Sequence, residues 1–216
     1  MVSNGLLVRL QAQPGRDAEL QRLLLTLKPL VRDEAATTAW FAVKSGRGEY
    51  GIFDVFLNEA GRDMHLAGEA AAALTLQGGA LLAKPPGIEK ASIVACKLPA
   101  VAAPVPDTTC ALLFTFRARH GQEAQVENIL RCAKGVVDAE ARTTAWFGLR
   151  LAGGDFGVFA AFADNAARLA HLAGHAPREL TRHALSLLGG LPAMTMLEVV
   201  AVNFAERETL VGLGVD

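Results

Sequence analysis

Two histidines follow an arginine by three residues: Arg62 with His65, and Arg168 with His171. On a helix, residues three apart share a face, so each pair could set a cation for a developing oxyanion beside a base for a proton. The structural alternative is that the HLAG blocks at 65–68 and 171–174 end a helix at glycine. There a histidine suits the C-terminal dipole or bonds a neighbouring loop, and the arginine is simply solvated. Trp40 and Trp146 are the two tryptophans of the chain, each followed by a phenylalanine, Phe41 and Phe147. They offer an indole N–H and flat rings to an aromatic ligand, or they fill a core. Asp54 interrupts an apolar run between Phe53 and Val55 and needs a cation or water. Arg9 is the expected partner, because the positions 106 residues later, Ala160 and Thr115, have lost both members together.

Other chemistries find little support. His171 and His175 lie four apart with His183 nearby, but the spacing shows no carboxylate or cysteine completing a set, so neither a metal nor a haem is expected. Cys96, Cys110 and Cys132 are odd in number and without CxxC spacing, which signals neither a disulfide framework nor zinc. The glycine-rich SGRGE and AGGD read as hairpin turns rather than phosphate loops.

The elements that would position these residues are written twice. TTAWF at 37–41 recurs at 143–147, and HLAG recurs at the same shift of 106. Residues 6–98 slide onto 112–204 without a gap, with roughly 33 of 93 positions identical. Each copy predicts a strand (6–12), a helix with leucines at helical spacing (16–31), a hairpin (37–45 and 49–57), a helical stretch kinked at glycines (59–83), and a last strand (88–98). The order β-α-β-β-α-β is the ferredoxin-like arrangement, an α+β class. The third strand is apolar on both parities (Ile52 and Phe56; Phe53 and Val55), so its sheet is expected to be buried on both faces. The natural cover for one sheet is the other, packed sheet-to-sheet within the chain. The expected organisation is an N-terminal domain (1–98), a Pro-rich linker (99–110), a C-terminal domain (111–205) and a tail (206–216).

Composition narrows the partners. Twenty-one basic and 22 acidic residues give a net charge of −1, without the basic surplus that nucleic-acid binding requires. No apolar run reaches membrane-spanning length, and the start shows no signal peptide, so a cytoplasmic protein free of membrane is expected. A tandem chain satisfies its own two-fold, as a monomer or as a homodimer of pseudo-dimers.

TTAWFAVKSGRGEYGIFDVF with RDMHLAG, repeated as TTAWFGLRLAGGDFGVFAAF with ARLAHLAG, resembles the antibiotic biosynthesis monooxygenase-like domain of the dimeric α+β barrel superfamily. The resemblance implies sheet-paired domains. Some members oxidise polyaromatic phenols to quinones with O₂ and no metal or flavin; others degrade haem, isomerise small lactones, or have no known activity. It leads to the expectation of a cofactor-independent monooxygenase with His65, Arg62, His171 and Arg168 as catalytic residues. Trp40, Asp54, Trp146, Phe41 and Phe147 would contact a hydrophobic aromatic ligand. Two alternatives stand: a non-catalytic small-molecule-binding or stress-associated protein, and a lactone isomerase in which Asp54, Arg9 and His65 converge.

Overall fold

The first strand begins at Asn4, two residues before its predicted start, in a computed structural model that describes residues 2–99 and 107–205, apart from the side chains of Leu180, Thr181, Ala184 and Leu185. The tail and most of the linker predicted at 99–110 lie outside the described residues. The first copy comprises β1 (Asn4–Gln11), α1 (Asp17–Arg32), β2 (Thr37–Gly46), β3 (Glu49–Phe56), α2 (Glu59–Leu66), α3 (Glu69–Gly78) and β4 (Gly87–Lys97). The second comprises β5 (Cys110–Phe116), α4 (Glu123–Asp138), β6 (Thr143–Leu151), β7 (Phe156–Phe162), α5 (Asn165–Leu172), α6 (His175–Arg182), α7 (Ala184–Leu187) and β8 (Ala193–Phe204). The class is mixed α+β.

The hydrogen-bonded strand order is β1-β3-β2-β8-β5-β7-β6-β4, and it is closed. β1 with β3, β2 with β3, β5 with β7, β6 with β7 and β5 with β8 pair antiparallel. The chain forms two compact units, one running to Ala91 and resuming at Val199, the other Ser92–Glu198. The units therefore follow the sequence repeat except at its last strands, since β4 and β8 each contribute residues to both.

In the first unit Leu20, Leu23, Leu24, Leu27 and Val31 form the buried stripe of α1. They pack on Val8, Leu10, Trp40, Ala42 and Ile52, which share the helix-facing side of the sheet. On the opposite side Phe41 stacks with Phe53 at 6.2 Å and meets Phe204 edge-on at 5.4 Å. Residues 52–56 of β3 and the whole of β7 are buried, so both faces of the central strands are covered. The expectation drawn from their double apolar parity holds.

The predicted helix break falls at HLAG, for a steric reason. α2 starts on the Asn58 side chain, which accepts from the Gly61 N–H, and ends at Leu66; α3 restarts after Gly68. A Cβ at Gly68 would lie 2.8 Å from Glu34 Oε1 and 3.2 Å from the His65 carbonyl. At Gly174 it would lie 2.8 Å from the His171 carbonyl and 3.4 Å from Glu140 Oε1. Backbone cannot swing aside as a side-chain end can. Gly174→Ala is therefore expected to cost about 1–3 kcal/mol through overpacking. Gly153→Ala, whose Cβ meets nothing within 4 Å, is expected to stay within about 0.5 kcal/mol of wild type in parallel urea melts.

Candidate functional site

A β-bulge sets up the site in each copy. Thr37 pairs with Phe56 and Ala39 with Val55, which makes Thr38 the extra residue. Thr37 and Trp40 are three apart and would otherwise face opposite ways; the bulge puts both on the helix side, opposite Phe56 and Asp54. The Thr37 hydroxyl donates to Glu34 Oε2 at 2.9 Å, and Glu34 Oε2 lies 2.5 Å from His65 Nδ1. His65 therefore carries its Nδ1 proton towards a carboxylate. Its other nitrogen, Nε2, lies 3.3 Å from Asp54 Oδ2. Asp54 is 1% exposed, and neither of its oxygens has an aligned hydrogen bond among the described residues. The Phe56 ring packs on the imidazole at 5.3 Å.

The second copy repeats the frame without the aspartate. Thr143 donates to Glu140 Oε2 at 2.6 Å, and Glu140 Oε2 lies 2.7 Å from His171 Nδ1. Phe162 packs on the ring at 5.2 Å. Ala160 stands opposite Trp146 where Asp54 stands opposite Trp40. Nε2 of His171 is thus the ring nitrogen left over, with no hydrogen-bond partner among the described residues. Here the interior opens. A cavity of about 470 Å³ is walled by Trp146, His171, Leu112, Phe114, Leu130 and Ala133, with Leu172, Pro192 and Met194 among its further lining. That volume is ordinary for a small-molecule site, and an apolar wall with few convergent polar groups is the usual character of one.

Other residues singled out by sequence are placed differently. Arg9 does not reach Asp54: Leu6 is the residue opposite Asp54, and Arg9, three positions on, faces the other way and pairs with Glu89 at 2.9 Å. The convergence of Asp54, Arg9 and His65 needed for a lactone isomerase does not occur. Neither arginine of the Arg-His pairs is simply solvated. Arg62 is buried against Glu59 and Asp63. Arg168 donates from one nitrogen to the carbonyls of Ala111 and Leu197, both at 3.1 Å, and from another to Asn165 Oδ1 at 2.7 Å. Trp40 belongs to the packed core of the first unit, whereas Trp146 lines the cavity. Phe147 contacts Phe159 at 6.5 Å on the sheet side away from Trp146, as Phe41 does with Phe53. A carboxylate does stand near the later histidines, Glu179 at 3.8 Å from both His175 and His183. Even so, among the described residues no group of three potential ligands could hold a metal ion.

No spacing rule singles out Glu34 or Glu140 in the sequence. Their identity in both copies, three residues before a threonine that is also repeated, was the available signal.

No family model matches the chain, and no curated protein matches it. Solved structures do. A provisionally assigned monooxygenase from Fusobacterium nucleatum aligns with TM-score 0.81 at 11% identity, over 94% of both chains. One from Lactobacillus acidophilus gives 0.81 at 11%, over 94% of this chain and 97% of that one. An anthrone oxidase-like protein gives 0.61 at 13%, over 94% of this chain and 93% of that one. At such identities these likenesses establish a shared fold. Among the described residues no helix is long and apolar enough to cross a membrane.

Electrostatics marks the first copy. Burial works against a charged His65, but its contacts with Asp54 and Glu34 outweigh that and push its pKa up to about 10. Burial holds the Asp54 carboxyl above the usual carboxylate range, with His65 opposing. Because the folded state binds the His65 proton more tightly, stability from this group is complete below about pH 6.5 and is lost as pH rises through about 10. The cost of ionising Asp54 enters at lower pH, as pH rises from the ordinary carboxylate value. The melting temperature is therefore expected to fall between pH 7 and 10, and His65→Gln to flatten that slope. An equal slope in the variant would refute the assignment.

Proposed function

We propose that the protein binds a largely apolar, hydroxyl-bearing aromatic molecule in the cavity of its second unit and oxidises it with O₂, as a monooxygenase. The observation that carries this reading is the cavity of about 470 Å³ that meets Trp146 and His171 at one wall. The fold shared with the provisionally assigned monooxygenases and the anthrone oxidase-like protein supports it.

The chemistry follows from the tautomer. His171 Nδ1–H donates to Glu140, which leaves the lone pair on Nε2 to accept a phenolic proton. The imidazolium that results faces the phenolate. Trp146, in the same lining, offers an aromatic surface to the substrate. Arg168 does not serve the oxyanion in this scheme, since backbone carbonyls hold its guanidinium. The electron-rich phenolate supplies electrons to O₂ directly, without metal or flavin. For a phenol oxidised to a quinone, one oxygen atom enters the ring as a carbonyl and the other leaves as water. The four electrons come from the ring C–H and the phenol. One chain contains both copies of the domain, so a monomer suffices as the functional unit.

Binding without turnover is the second reading, and the engagement of Arg168 favours it. Oxygen uptake with anthrone, whose enol form 9-anthrol carries the phenolic hydroxyl, separates the two. Turnover is expected in the wild type, with His171→Ala slower by about 10²-fold or more and His65→Ala unchanged in rate. Thermal stabilisation by anthrone without oxygen uptake would favour the binding reading. A His171→Ala rate equal to wild type would abandon the mechanism.

A further inference from the structure

We propose that the chain carries a single ligand site rather than one per copy, and that two replacements in the second copy, Ala133 for Leu27 and Glu179 for Ala73, create it. This rests on reading the cavity as a ligand site, but not on oxygen chemistry. The cavity lies where α4, α5 and α6 meet the sheet of the second unit. The matching place in the first unit is occupied. Leu27 is 2% exposed there and packs with Leu24 and Trp40, and Ala73 and Leu74 of α3 close over it. At the position of Leu27 the second copy has Ala133, which withdraws most of a side chain from beside Trp146.

A truncation alone is often absorbed by collapse of the neighbouring helix. Glu179 prevents that. It stands on α6 at the position of Ala73, and settling α6 onto α4 as α3 settles on α1 would bury its carboxylate. That cost is avoided by keeping Glu179 near solvent, beside Arg182 at 2.9 Å and close to His175 and His183. α6 meets α4 less extensively than α3 meets α1. A second, smaller cavity of about 160 Å³ lies between α4 and α6 and shares Ile129, Ala133 and Ala176 with the main one, as a gap held open would.

The occupant is set by what the wall offers. Its side chains are apolar except for His171, whose free Nε2 accepts, and the indole N–H of Trp146. A neutral, mainly hydrocarbon molecule with one hydroxyl donor satisfies it, and a molecule lacking the donor leaves the nitrogen unpaired. In the first copy Nε2 of His65 is already against Asp54, so even an opened first site would lack this acceptor.

Calorimetric titration of the full chain with 1-naphthol tests the proposal. One equivalent is expected to bind, with 1-methoxynaphthalene about tenfold weaker. Ala133→Leu installs the residue the first copy already tolerates, and is expected to weaken 1-naphthol at least tenfold while melting no lower than wild type. Glu179→Ala is expected to weaken binding as α6 settles, and Glu179→Gln to leave it intact. Two equivalents in the wild type, an unchanged affinity in Ala133→Leu, or no binding of 1-naphthol would each overturn the proposal. One equivalent of 1-naphthol bound, with no oxygen uptake on anthrone, would sink the monooxygenase reading and leave this one standing. Oxygen uptake unaffected by Ala133→Leu would do the reverse.

Discussion

A short hydrogen bond between a loop glutamate and a helix histidine organises each copy of this protein. Glu34 and Glu140 leave the end of the first helix of their copy; His65 and His171 sit on the next one. Between them runs the strand whose bulge turns Thr37 or Thr143 toward the carboxylate. Three separate segments are thereby tied at one point. The glycine that ends HLAG belongs to the same arrangement, because a side chain there would strike the carboxylate or the histidine carbonyl. The TTAWF and HLAG repeats, 106 residues apart, are the two sides of this contact.

With that frame held constant, the copies diverge in what surrounds the imidazole. In the first, Asp54 faces Nε2 and the interior is packed by leucines, so the histidine is charged, enclosed and spent on structure. A buried charge of this kind is costly to make and more costly to break, since removing either partner strands the other. In the second, Ala160 leaves Nε2 free and the missing bulk leaves a cavity beside it. The same side chain, oriented by the same glutamate, is locked in one copy and available in the other. A duplicated domain offers this division readily: one copy can keep stability while the other gives up packing for a cavity.

The arginines show how local spacing misleads. Arg62 and Arg168 do share a helix with the histidines at the expected offset, yet both are turned into structural work. Arg168 satisfies carbonyls of β5 and β8, and Arg62 lies buried between acidic neighbours on its own helix. A shared helix face places two side chains near one another; the strands packed beneath decide what each one meets.

Most of the fold was legible because it is written in periodicity and repetition. The leucine stripe of α1, the double apolar parity of β3 and the glycine break at HLAG all follow from local rules, and the duplication states the last two again in the second copy. The site was legible only as a set of residue types: His65 and His171, Trp40 and Trp146, and the odd Asp54. Tertiary structure decided the rest. It paired Asp54 with His65 rather than Arg9, because strand register puts Arg9 on the opposite face. It gave Glu34 and Glu140 their role, since the contact joins residues 31 apart that no local pattern connects. And it opened a cavity in the second copy, because internal volume is a sum over side chains from several elements, which a linear pattern does not express.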